Sequence, residues 1–213
     1  MRILFLLLIA VPCALAQHPN AISVLERRAI KLDPVPSPSG LDLRLTLAYL
    51  EGSGWTEEAI VAAARESAPI LEQCGVALGS VELVTFFAPI RYHDFLTPAS
   101  RELAGALRLL KPTVYFIVGT RERPAFDAEA IGRGNSRTRP ELRDTVWVTR
   151  GTRDLGIAMT HELAHVLMDS GEHSDEPDNL MRDETAPRNT QLSAAQCARL
   201  REAGTANGLL GPR

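Results

Sequence analysis

Along residues 41–49, Leu41, Leu43, Leu45, Leu47 and Tyr49 alternate with mostly polar positions, the two-residue period of a half-buried strand. Gly52 and Gly54 end that pattern, and helical spacing replaces it. Thr56 stands as a helix N-cap, with Glu57 and Glu58 where the positive end of the helix dipole favours acids. Ile60, Ala63, Ala64 and Ile70 carry an apolar face to about Cys74, where Gly75 is a natural stop. Val81 to Phe87 reads as a second strand, and Pro98 to Leu110 as a helix with Leu103, Leu107 and Leu110 on one face. Thr113 to Val118 is a nearly continuous apolar run, as expected of a central strand covered on both faces. Asp144 to Thr149, containing Val146, Trp147 and Val148, is another strand. Between these two, residues 121–143 are polar and rich in arginine, with a short strand-like piece at Ala128 to Ile131. A helix is expected from about Arg153 to Met168. A last one starts at Ser193, where Ser193 and Gln196 have the spacing of a capping box. The order of elements predicts an α+β fold, a mixed sheet with helices packed against it.

A chain of 213 residues with 45% hydrophobic and 23% charged positions suits one globular domain. The net charge of -3 gives no electrostatic reason to expect nucleic acid as a partner. Residues 1–16 read as a signal peptide: Arg2 supplies the positive end, Ile3 to Val11 a short apolar run, and Ala14-Leu15-Ala16 a small-x-small cleavage pattern. That run is short for a bilayer, and no later stretch is long and apolar enough to span one. Export to the periplasm or the extracellular space is the expectation. Residues 17–40 form a Pro/Ser-rich lead-in, and residues 41–213 the folded domain. Without Cys13, Cys74 and Cys197 remain; in an oxidising compartment they are a disulfide candidate, the alternative being two separate buried thiols.

Residues 161–165 read His-Glu-Leu-Ala-His. On a helix, positions i and i+4 lie on one face, so His161 and His165 offer two imidazole nitrogens to one ion. Glu162 sits roughly 100° around the axis, beside such an ion, where a carboxylate takes a proton from a water held by zinc. Leu155, Met159, Leu163, Val166 and Leu167 cluster on the side away from the histidines. A chance match to this pattern turns up in about one chain in a hundred, so the bland alternative of two surface histidines is the weaker one. A catalytic zinc site needs a third protein ligand, with the fourth position left to water. The nearby residues able to supply it are Asp169, Glu172, His173, Asp175 and Asp178.

Residues 161–181, HELAHVLMDSGEHSDEPDNLM, resemble the metzincin clan of zinc endopeptidases, and within it the matrixin arrangement H-E-x-x-H-x-x-G-x-x-H followed by a methionine-bearing turn. The resemblance implies His161, His165 and His173 as zinc ligands, Glu162 as general base and Met181 as the residue of the turn beneath the metal. It implies a mostly parallel sheet with an antiparallel edge strand, an active-site helix and a C-terminal helix. A peptide or protein substrate would lie extended along Ala128, Glu129, Ala130 and Ile131, completing the unpaired edge. The segment departs from the pattern: the family glycine would fall at Met168 and the third histidine at Gly171, so the present stretch is two residues longer. Gly171 is expected to reverse the chain and return His173 to the metal. The implied function is a secreted zinc-dependent endopeptidase, the alternative being a non-catalytic secreted zinc-binding protein of the same fold. Bacterial rRNA-maturation endoribonucleases, with three histidines at a related spacing, are cytosolic and lack the glutamate that stands here at Glu162.

Overall fold

The structure, a computed structural model, describes residues 21–32, 40–122, 130–133 and 140–212. The expected signal peptide at 1–16, most of the Pro/Ser-rich stretch, and Ala128 and Glu129 lie outside the described residues. In chain order the elements are β1 (Ser23–Lys31), β2 (Leu41–Leu43), β3 (Leu45–Leu50), α1 (Glu57–Glu72), β4 (Val76–Ala77), β5 (Ser80–Phe87), β6 (Asp94–Phe95), α2 (Thr97–Leu107), β7 (Thr113–Ile117), β8 (Gly119–Thr120), β9 (Ala130–Arg133), β10 (Thr145–Thr149), α3 (Leu155–Met168), α4 (Ala194–Ala206) and β11 (Leu210–Pro212).

Six strands make the main sheet in the order β1-β5-β3-β7-β10-β9. The four inner strands run parallel, while β1 on β5 and β9 on β10 are antiparallel. Side-chain alternation divides the core into two layers. Leu45, Leu47, Val114, Phe116, Val146 and Val148 face α1, α3 and α4. Ala48, Leu50, Tyr115, Ile117 and Trp147 face the other way, towards Leu103, Ala104 and Leu107 of α2. Covering both faces is what lets β7 and β10 be buried at every position.

Four details differ from the sequence reading. The strand expected over 41–49 is two strands divided at Arg44: β2 joins a small sheet with β4 and β11, and β3 joins the main sheet. β3 is buried on both faces rather than half-buried, because α2 covers the face that alternation alone leaves to water. The helix expected to reach Leu110 stops at Leu107, where Arg108 adopts a left-handed conformation (φ 48°), and Leu110 stays 68% exposed. The lead-in contains β1, a nine-residue strand that closes the β5 edge. Its outer side is charged, with Arg27 paired to Glu82 and Arg28 to Glu57 across to neighbouring elements.

Helix caps match their local sequence. The Thr56 hydroxyl accepts from the Ala59 N–H at 3.2 Å. Ser193 and Gln196 form a complete capping box at the start of α4. Cys74, just past α1, is bonded to Cys197 in the first turn of α4, with Cα atoms 4.6 Å apart. The bridge joins residues 123 apart in sequence and ties two helices that both pack near α3.

Thiol titration of the denatured, unreduced protein is expected to find neither Cys74 nor Cys197 free. Cys197→Ser should lower unfolding free energy by about 2–5 kcal/mol in denaturant titrations, the usual cost of losing a native bridge. A variant as stable as the oxidised parent would contradict the structural role of the bridge.

Candidate metal centre

α3 enters from β10 and packs face-on against α1. Gly156 permits that approach, since a Cβ there would run into the Glu66 side chain. One turn later the Thr160 hydroxyl donates to Ser67 Oγ at 2.7 Å, tying the two helices by a buried hydrogen bond. The rotation of α3 about its axis is thereby fixed. Met159, Leu163, Val166 and Leu167 lie in the core, with Leu155 partly buried beside it. The histidine side is not fully open: His161 is only 4% exposed, His165 is half-buried, and the exposed member of the set is His173.

His161, His165 and His173 form one group, their candidate ligand atoms all within 4.8 Å of one another. The His165 Nε2 lies 3.0 Å from that of His161 and 3.2 Å from that of His173. Each ring is held from behind by an oxygen. His161 Nδ1 is 2.7 Å from the carbonyl of Leu180, His165 Nδ1 2.7 Å from the carbonyl of Ser170, and His173 Nδ1 2.7 Å from Asp183 Oδ1. A carbonyl can only accept, so Nδ1 of His161 and of His165 carries the proton, and Nε2 carries the lone pair. Two lone-pair nitrogens 3.0 Å apart do not bond to each other; they converge on a common point.

Burial supports the neutral forms. It pushes His161 down to about 4 from its usual value, the Leu180 carbonyl acting in the opposite direction. His165 is lowered as well, again chiefly by burial. Neutral imidazoles are the metal-binding form. Nitrogens bound to a tetrahedral zinc at 2.0–2.1 Å stand about 3.3 Å apart, close to the observed spacings. The outward N–H of each ring is already engaged, the arrangement usual behind zinc-ligating histidines. The donor set therefore fits a zinc ion.

Glu162 follows His161 on α3 and is partly exposed. The carboxylates considered as alternatives for the third position do not join the histidine cluster. Asp169 is the C-cap of α3, with φ 47°. Glu172 pairs with Arg199 of α4 at 2.9 Å, and Asp178 with Arg188 at 3.3 Å. The Asp175 carbonyl accepts from Arg182 at 2.9 Å. The chain reversal expected at Gly171 occurs at Asp169 instead, and Gly171 is not among the glycines with positive φ. Arg199 steadies the end of the helix and the segment beyond it, donating to the Met168 carbonyl as well as to Glu172.

Met181 is fully buried, in the same core layer as α3. Its N–H donates to Asn179 Oδ1 at 2.9 Å, and its carbonyl accepts from Ser174 N–H at 2.8 Å. The Asn179 and Gln196 side-chain amides bond to each other in both directions, at 3.0 and 3.1 Å. The turn that supplies the Leu180 carbonyl to His161 is thus anchored on α4. Sequence reasoning missed Asn179, Asp183 and the two backbone carbonyls. It noticed Gln196 only as a capping residue.

Of the four positions expected to line the substrate, Ala130 and Ile131 belong to β9, opposite Val148 and Trp147 of β10. The β9 backbone runs beside α3 as the last strand of the sheet. Trp147 is a core residue stacked on Tyr115, and His93 is held by the Ala88 carbonyl apart from the histidine cluster.

No protein-family model matches the chain, and no curated protein matches it. Among solved structures it is similar to metalloproteinase-II from Bacteroides fragilis, with a TM-score of 0.54 and 21% identity over 82% of this chain and 57% of that one. The chain thus spans little more than half of that protein's length. The likeness is one of fold. The mostly parallel sheet with its antiparallel edges and the four helices among the described residues give the α+β architecture expected from the sequence.

Proposed function

We propose that the chain is an exported zinc-dependent endopeptidase, with His161, His165 and His173 as ligands and Glu162 as general base. The observation that carries this reading is the convergence of three Nε2 atoms, each ring fixed from behind by an oxygen, on the helix that also bears Glu162. A zinc ion held by these three imidazoles would supply Lewis acidity, polarising the scissile carbonyl and lowering the pKa of a bound water to about 7. The Glu162 carboxylate takes the proton of the attacking water and delivers it to the departing amine, so one group serves as base and then acid. The three imidazoles keep their orientation throughout, because their Nδ1–H donors stay engaged. Substrate binds as an added antiparallel strand on the open side of β9, exchanging backbone hydrogen bonds with it. Met181 forms the apolar floor beneath the cluster. The N-terminal residues 1–16 and the Cys74–Cys197 bridge support export. No helix among the described residues is long and apolar enough to cross a membrane.

The mature protein should carry about one zinc per chain by elemental analysis when prepared without chelator. His173→Ala should weaken zinc binding by orders of magnitude, while Asp169→Ala and Asp175→Ala retain it. Loss in an aspartate variant with full retention in His173→Ala would assign the third ligand elsewhere.

Glu162→Gln keeps the side-chain shape but cannot accept a proton. It should hold zinc normally and lose a factor of about 10²–10⁴ in kcat on a peptide library. Hydrolysis at the parental rate would refute Glu162 as the base, and hydrolysis by neither protein would favour the non-catalytic zinc-binding alternative.

Successive N–H groups along a strand point to opposite edges, so of Ala130 and Ile131 one donates to β10 and the other faces the incoming peptide. Proline at the outward position should raise KM with stability kept. Proline at the inward one should lower stability instead. Unchanged KM in both variants would move the substrate to another wall of the cleft.

A further inference from the structure

The three imidazoles are not held alike. His161 and His165 sit on α3, and the oxygens behind them are backbone carbonyls, of Leu180 and Ser170. Those acceptors move only if the chain moves. His173 lies beyond the helix, in a segment without regular structure, with its side chain 39% exposed. Its ring has two free torsions and no helical neighbour to fix them. The oxygen behind it belongs to a side chain, Asp183 Oδ1 at 2.7 Å, and that side chain is 82% exposed.

We propose that Asp183 is the positioning residue of the third ligand: its carboxylate accepts the Nδ1–H of His173 and so selects the tautomer and ring angle that aim Nε2 at the zinc. The proposal rests on the zinc reading above and adds a residue to it. Two features make Asp183 able to act this way. The Ser174 N–H donates to the Met181 carbonyl at 2.8 Å, which clamps the residue after His173 onto the buried turn just before Arg182 and Asp183. Arg182 in turn donates to the carbonyls of Asp175 and Glu176, at 2.9 and 3.4 Å, closing the intervening loop on itself. The carboxylate is therefore delivered to the ring by the same turn that supplies the Leu180 carbonyl to His161. A hydrogen bond from a neutral imidazole to a carboxylate is charge-assisted, and it raises the donor strength of the opposite nitrogen towards a cation.

The test measures zinc affinity by competition with a chromogenic chelator, together with the visible spectrum of the cobalt-substituted protein. Asp183→Ala should weaken zinc 10–100-fold and alter the cobalt bands, with an unchanged far-ultraviolet circular dichroism spectrum. Asp183→Asn keeps an oxygen acceptor and should lose less. Glu184→Ala, an exposed neighbour, should match the parent. Parental affinity and cobalt spectrum in Asp183→Ala, while the parent binds one zinc, would overturn the role of Asp183 and leave the zinc reading intact. A loss in Glu184→Ala as large as in Asp183→Ala would also overturn it. A parent protein that binds no zinc would overturn both.

Discussion

The hydrogen bond from the buried Nδ1–H of His161 to the Leu180 carbonyl decides which way Nε2 points into the histidine cluster, and the surrounding elements hold it in place. An unpaired donor at so buried a position would cost about 1–3 kcal/mol, so the turn carrying Leu180 cannot drift without penalty. The turn is restrained in sequence and in space. Met181 is buried in the core, and its N–H is taken by Asn179. Asn179 is paired with Gln196, which also caps α4. The next residue, Cys197, is bridged to Cys74 at the end of α1, and α1 packs along α3, which bears His161. The path is a closed circuit from α3 through the turn, α4 and α1 back to α3. The disulfide, which does not touch the histidine cluster, is thus linked through this circuit to the turn behind His161.

The centre is graded from dry to wet. His161 is buried and held neutral, His165 is half-buried, and His173 reaches solvent. Three lone pairs gathered at these separations repel one another, and a divalent cation placed among them would relieve that repulsion. The gradient also sets the direction of access. Met181 lies in the buried core with the apolar face of α3, while Glu162 is partly exposed and His173 exposed, so the cluster is open to solvent on their side.

Much of this was legible in the chain, and the parts that were not share a cause. Helical spacing at 155–168 placed His161 and His165 on one face, because that inference needs only the geometry of one helix. The capping box at Ser193 and Gln196 is equally local. The strand β1 was hidden because the charged run Glu26, Arg27 and Arg28 breaks its alternation and its partner, β5, is distant in sequence. Burial of the second face of β3 was hidden because it is made by α2, which no alternation pattern within residues 41–49 reports. Asp183 had no spacing rule to announce it. It meets His173 only after the loop between them has closed, and the acceptors of the other two histidines are backbone atoms that no residue type signals.

The longer third-ligand segment fits the same reasoning. Where the matrixin pattern has its glycine, this chain has Met168, which is still helical and buried. The helix runs on past that point and reverses at Asp169, a residue able to adopt the left-handed conformation at modest cost because its short side chain bonds locally. Two further residues must then be absorbed before the third imidazole, and the chain spends them in an irregular stretch pinned by Glu172 to Arg199 and by Ser174 to Met181. A segment of this kind cannot fix an imidazole through backbone regularity as α3 does. Fixation passes to a side chain arriving from the far side of the turn. Of the three rings in the cluster, His173 is thus the one whose Nδ1 meets an exposed side chain, Asp183 Oδ1 at 2.7 Å, where the other two meet backbone carbonyls.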